Sequence, residues 1–177
     1  MTIPDYATYI AGLPRVLAGA AALFRDTGGR VLLVEPNYRE GWALPGGTVE
    51  SDAGETPRQG ARRETLEEIG LDLEIGRLLA VDWVPGTARP PVVAYLYDGG
   101  VLAEETFASI RLQESELLSW RLVPREELPR YLPGALGRRV TVALDVLAEG
   151  TGAAELENGR RAGTGAPRAE DSSALGA

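Results

Sequence analysis

Residues 56–70 specify a helix at both ends and along one face, and this limits what the rest of the chain can be. Thr56 is placed to cap the first turn, Gln59 completes a capping box with it, and Pro57 sits where a missing N–H costs nothing. Gly70 supplies the residue that takes a left-handed conformation just past the last turn. Between these signals Glu64, Glu67 and Glu68 stand at i, i+3 and i+4, so they share one face within an arc of about 100°. Three carboxylates held that close repel one another and disfavour an isolated helix. A solvated acidic face is the plain reading of such a cluster. A hard divalent cation with oxygen ligands is the reading in which the repulsion is offset. The Gly46-Gly47 turn upstream and Arg63 beside the first glutamate favour the second.

Composition narrows the chemistry further. At 177 residues the chain can bury one sizeable core. It contains neither Cys nor His, which excludes a disulfide framework, a thiol nucleophile, a Cys-based zinc site and imidazole base catalysis. Carboxylates and a metal must therefore carry any hydrolysis. A net charge of −8 argues against general nucleic-acid or membrane-surface binding and leaves a phosphorylated small molecule as the expected partner. A homodimer is compatible with the sequence. Asp5 precedes any basic residue and the apolar run at 16–24 is short, so no secretion signal is expected. No run approaches the roughly 20 apolar residues of a membrane span, and the expected location is cytoplasmic.

Along the chain, residues 1–15 read as an N-terminal arm with a short helix. Residues 16–24 and 30–35 read as strands of a hairpin around Asp26-Thr27-Gly28-Gly29, and residues 42–44 as a short strand delivering the Gly-Gly turn. After the acidic helix, residues 73–84 read as one strand or two joined at a bulge. Residues 92–97 form a strong strand ended by Asp98-Gly99-Gly100, and residues 117–123 another. A short helix starts near Pro124, and residues 135–149 have the spacing of a second main helix. From Gly150 to residue 177 the composition shifts to Gly, Ala, Ser and charge without a period, so a disordered, dispensable tail is expected. The pattern points to an α/β fold, with a mixed β-sheet covered by helices as an α/β/α sandwich over residues 16–149.

The acidic helix and the glycines before it resemble the signature of the Nudix hydrolases, G-x5-E-x7-R-E-U-x-E-E-x-G-U with U a bulky apolar residue. Glu55, Arg63, Glu64, Glu67, Glu68, Gly70 and Leu71 fall on that pattern. Two departures stand out: a two-residue insertion between Gly47 and Glu55, and Thr65 at the first U position. The insertion lies in a loop, where added length costs little. The resemblance implies the Nudix fold and a Mg2+-dependent pyrophosphohydrolase, with Mn2+ a possible substitute. It implies Glu67 and Glu68 as metal ligands, Glu64 as a ligand or the base that activates water, and the carbonyl of Gly46 completing the shell. Arg63 would orient Glu64 through a charge-assisted hydrogen bond, and Glu55 would be a structural partner at the helix entrance. A further acid late in the sheet would come from Glu114 or Glu116, with Glu104 and Glu105 weaker candidates. Selectivity would come from outside the signature, where Tyr38, Arg39, Trp83 and Arg89 lie in or beside loops. The substrates implied are a nucleoside triphosphate, ADP-ribose or a nucleotide sugar, with a prenyl or terpenyl diphosphate, or a catalytically silent regulator, as the alternatives.

Overall fold

The computed structural model describes residues 5–86 and 88–163. Asp5 caps a short helix, α1 (Tyr6–Ala11), by accepting the Ala7 and Thr8 amides, and no α1 side chain is buried. Strands β1 (Leu17–Arg25) and β2 (Val31–Pro36) pair antiparallel, as expected of the hairpin. The Gly-Gly pair is not a turn. It belongs to strand β3 (Gly46–Thr48), which lies antiparallel on β1 with Gly46 opposite Ala21 and Gly47 opposite Ala20. Of the residues expected as a strand before it, Ala43 makes a single bridge to Val34. The reason is steric: a Cβ at Gly46 would lie 2.4 Å from the Ala20 carbonyl oxygen and 2.5 Å from the Ala21 Cα.

A one-turn 3-10 helix at Ser51–Ala53 takes up the long loop before α2 (Pro57–Ile69). The Thr56–Gln59 capping box is present, and Gly70 ends the helix at a φ of 73°. The strand expected from residue 73 begins only with β4 (Leu78–Val84), because Arg58 of α2 takes the Ile75 and Gly76 carbonyls. Strand β5 (Val92–Val101) runs straight through Asp98-Gly99-Gly100 instead of ending there. A Cβ at Gly99 would meet the Phe24 ring at 2.4 Å, so glycine there lets a buried aromatic cross the strand, and the register of β1 on β5 shifts between Leu23 and Phe24. There follow α3 (Glu104–Ala108), β6 (Leu117–Val123), α4 (Leu128–Tyr131), α5 (Gly134–Glu149), β7 (Ala154–Glu157) and β8 (Arg160–Arg161).

Among the described residues the strands form one mixed sheet in the order β6-β2-β1-β5-β4-β7-β8, with β3 attached to β1. β1 and β5, and β4 and β7, are parallel, and the other pairs are antiparallel. Helix α2 covers one face over a core of Ala20, Ala22, Phe24, Leu32, Val34 and Ile69. Helix α5 covers the other over Leu23, Leu33, Leu79, Leu96, Val140 and Leu144. The fold is thus an α/β sandwich of a mixed sheet between helices.

Disorder from Gly150 onward does not describe residues 154–161. Ala154 and Leu156 are buried, and β7 extends the sheet beside β4. The sequence there, Ala-Glu-Leu-Glu, alternates buried and exposed over only four residues, too short a signal to stand out from its surroundings. What secures it is remote. Asp82, fully buried on β4, accepts Arg139 of α5 at 2.8 Å and the Gly159 amide at 3.0 Å. Residues 164–177, the rest of the expected tail, lie outside the described residues.

Two stability predictions follow from this tie. Asp82→Ala leaves a largely buried guanidinium without its partner, and thermal or urea unfolding is expected to show a loss of about 3–5 kcal/mol. A chain ending at Gly150 is expected to unfold at lower temperature than the full chain, since it exposes the apolar surface that Ala154 and Leu156 cover. Identical melting curves would contradict both.

Candidate functional site

The placement of the acidic residues follows from which face of α2 is buried. Ala61, Thr65, Glu68 and Ile69 line the stripe against the sheet, at the i, i+4, i+7, i+8 spacing of a core-facing helix. Thr65 satisfies its buried hydroxyl on the Ala61 carbonyl at 2.7 Å. Glu68 is therefore carried inward and is only 5% exposed, while the side chains of Glu64 and Glu67 are 15% and 49% exposed. The three carboxylates that share a face in sequence form a gradient from core to solvent.

The bare backbone of β3 receives them. Gly46 donates its amide to Glu68 at 2.8 Å. A Cβ at Gly47 would lie 2.5 Å from a Glu64 carboxylate oxygen, so that glycine leaves the space Glu64 occupies. Arg63 gathers the remaining charge. It donates to Glu55 at 2.8 and 3.2 Å, to Glu64 at 3.0 Å, to Glu67 at 2.8 Å and to the Thr48 carbonyl at 2.9 Å. Glu55 in turn accepts the Glu50 amide at 2.8 Å, fixing the loop ahead of the helix.

Burial pushes the Glu68 carboxyl up to about 7; the Gly46 amide opposes this, and the charges of Glu64, Glu116 and Glu67 add to it. Burial also raises Glu64, against the charge and hydrogen bond of Arg63. The Arg63 hydrogen bond holds Glu55 below the usual carboxylate range. Glu116 lies in the turn before β6, where Gln113 donates its amide to the Glu68 carbonyl at 3.0 Å and its carboxamide to the Glu116 carboxylate at 3.2 Å.

Several sequence candidates stand apart from this cluster. Glu114 is exposed in the same turn, and Glu104 and Glu105 are exposed in the first turn of α3. Tyr38 and Arg39 lie on the exposed loop after β2, and that loop is joined to the Glu116 turn: Asn37 donates its amide to the Glu116 carbonyl at 2.8 Å and its carboxamide to the Ser115 carbonyl at 2.7 Å. Trp83 is 44% exposed on β4, separated from β3 in the sheet by β5 and β1. Arg89 is exposed and bonds the Pro90 carbonyl. Gly47 was expected only as part of the glycine turn, and Asn37 was not expected in the site. Gly47 was visible as half of a Gly-Gly pair, whereas the Asn37 contact joins residues 79 positions apart and leaves no local signal.

Among the described residues, no three acidic side chains already form a metal cage. Glu64 and Glu67 both accept from Arg63, and Glu68 accepts the Gly46 amide. The donor set nonetheless suits a hard cation: ionisable oxygens only, one of them buried, with like charges for neighbours.

Gly47→Ala is expected to displace Glu64 and leave a folded chain that binds Mg2+ at least about tenfold more weakly by calorimetry. Glu55 supplies a pH test. Its folded value is depressed, so its contribution to stability is present above the ordinary carboxylate value near 4.5 and is lost as pH falls through the depressed folded value. In Glu55→Gln that part of the acid dependence is expected to disappear from the melting temperature measured across this range.

A Streptomyces ambofaciens MutT-like protein is 35% identical over 121 residues, 66% of this chain and 70% of that one. The Bacillus subtilis (strain 168) protein YjhB, provisionally named an ADP-ribose pyrophosphatase, is 38% identical over 76 residues, 43% of this chain; the match spans only 35% of YjhB. The crystal structure of a Nudix hydrolase from Nitrosomonas europaea superposes with a TM-score of 0.62 at 26% identity, over 82% of this chain and 79% of that one. The NUDIX domain family model matches residues 15–144, well over half the length, and the chain belongs to the Nudix hydrolase family.

Proposed function

We propose that this chain is a Mg2+-dependent pyrophosphohydrolase that cleaves the diphosphate linkage of a nucleoside diphosphate derivative, such as a nucleoside triphosphate, ADP-ribose or a nucleotide sugar. The observation that supports this most is the graded carboxylate cluster of Glu64, Glu67 and Glu68 set against the bare backbone of Gly46 and Gly47. Glu64, Glu67, Glu68 and Glu116 would hold the metal, Mg2+ or in its place Mn2+. Such an ion, when bound, neutralises diphosphate oxygens and acidifies water.

The residues of the chain do the rest. Arg63 orients Glu64 and sets the position of Glu67. A carboxylate of the cluster, Glu64 by its position over Gly47, accepts the proton of the attacking water. The water oxygen bonds to one phosphorus, the bridging P–O bond breaks, and a monophosphate is one product. The clustered acids titrate together, so the pH profile belongs to the group. The Gly46 carbonyl would complete the metal shell, while its amide keeps Glu68 in place. Tyr38 and Arg39 would meet the substrate beside Glu116, with Trp83 and Arg89 more remote from it.

The test is turnover of a panel of diphosphates with Mg2+, with products identified by mass spectrometry. Cleavage is expected to be lost with EDTA, and Glu67→Gln is expected to lose about two orders of magnitude or more while remaining folded. Full turnover in Glu67→Gln would contradict the metal assignment. Ligand binding without cleavage would point to a silent regulator, and cleavage of prenyl diphosphates alone to the non-nucleotide alternative.

A further inference from the structure

Helix α1 has an apolar face and nothing to pack it on. Tyr6, Tyr9 and Ile10 stand at i, i+3 and i+4, and Leu13 continues the stripe beyond the last turn. All four are exposed, the tyrosines by 78% and 57%. A six-residue helix is well below the roughly 12–15 residues at which an isolated helix is even marginal in water, so its stability comes from what its apolar face meets. A matching receptor lies elsewhere on the chain. The corner of α4 and α5, with the turn after β7, encloses a cavity of about 360 Å³ whose walls include Pro129, Leu132, Pro133, Val142, Gly159 and Arg138. Arg138 donates through Nη2 to the Asn158 carbonyl at 2.9 Å, and its Nη1 has no hydrogen-bond partner among the described residues. The sheet register puts both features at one end. Leu17, where the chain from α1 enters β1, pairs with Val92 and Val92 with Val84, while Trp83 pairs with Glu157, two residues before Gly159.

We propose that α1 of one copy seats its apolar face in this cavity of a second copy, and that the exchange is reciprocal, giving a two-fold dimer. Three physical points favour this occupant. The chain carries a helix without a groove and a groove without a helix, so one two-fold axis satisfies both at once. Two tyrosines, Ile10 and Leu13 from each arm, with the walls they cover, bury on the order of 1,000 Å² over the two contacts, the size from which specific interfaces begin. Tyrosine also suits this cavity chemically. Its ring fills an apolar space while its phenol oxygen accepts an N–H, which Arg138 Nη1 can give. A membrane is the poorer occupant of the exposed stripe, because a chain of net charge −8 is repelled by anionic lipid. The dimer is independent of the hydrolase reading.

The test is sedimentation velocity of the full chain between about 1 and 100 μM, where dimer is expected to dominate at the upper end. Two variants separate the partners of the contact. Tyr6→Ala/Tyr9→Ala strips the arm at exposed positions. Pro133→Asp puts a charge at the cavity, at the exposed N-cap of α5 where Asp is a good capping residue. Each is expected to weaken the dimer about tenfold or more, while circular dichroism and melting at about 1 μM stay native. Mixed in equal amounts, the two variants are expected to associate more readily than either alone, because one brings an intact cavity and the other an intact arm. A chain that stays monomeric at about 100 μM overturns the proposal, whether α1 stays free or docks in its own cavity. So does a dimer that neither variant weakens, or one that only the arm variant weakens, which is the result for α1 pairing with α1. Variants that associate no better mixed than alone overturn it as well.

Discussion

A carboxylate packed under a helix is unfavourable unless something compensates it, and the site depends on one such group. Glu68 lies on the same stripe of α2 as Ala61 and Thr65, so the packing that seats the helix also buries the acid. One backbone amide, from Gly46, meets it inside. Its charged neighbours Glu64, Glu67 and Glu116 make matters worse. Apolar residues in that stripe would give a more stable helix–sheet contact, so the acids are a local conflict of the kind found where function constrains a fold.

The surrounding structure manages that conflict. Strand β3 approaches β1 so closely that Gly46 has no room for a side chain, and Gly47 leaves the volume that Glu64 enters. Arg63 binds Glu55, Glu64, Glu67 and the Thr48 carbonyl together, linking the entry loop, the helix and the glycine strand through one planar cation. The turn carrying Glu116 is fastened on one side to the end of α2 and on the other to the loop of Tyr38 and Arg39. The acidic helix and the loop of Tyr38 and Arg39 are thereby joined through one turn.

Much of this was legible in the sequence where the chemistry is local. The ends of α2 could be read from Thr56, Pro57, Gln59 and Gly70, because capping uses neighbours. The hairpin and the second main helix were legible for the same reason. The gradient of burial along Glu64, Glu67 and Glu68 was not, since it depends on which stripe of the helix faces the sheet. Gly99 and Gly100 read as a turn because glycine is the common turn residue, yet here Gly99 makes room for the ring of Phe24, a contact across strands, and Gly100 supplies a φ of 88° within β5. The strand at Ala154–Glu157 was hidden because what holds it, Asp82 with Arg139 and the Gly159 amide, lies far away in the sequence. Glu116 could be proposed only as one of several late acids. The turn leaves Glu114 exposed and gives the Glu116 carboxylate a hydrogen bond from Gln113.

The central claim is that Glu68 is kept in its buried position for a cation and at a cost to the fold. The most direct measurement joins thermal unfolding of the metal-free protein with Mg2+ titration, for the native chain and for Glu68→Gln. Gln keeps the size and the Gly46 hydrogen bond and removes the charge. The account predicts that the metal-free variant melts at a higher temperature than the native chain and no longer binds Mg2+. A variant that melts lower and binds Mg2+ as before would contradict it.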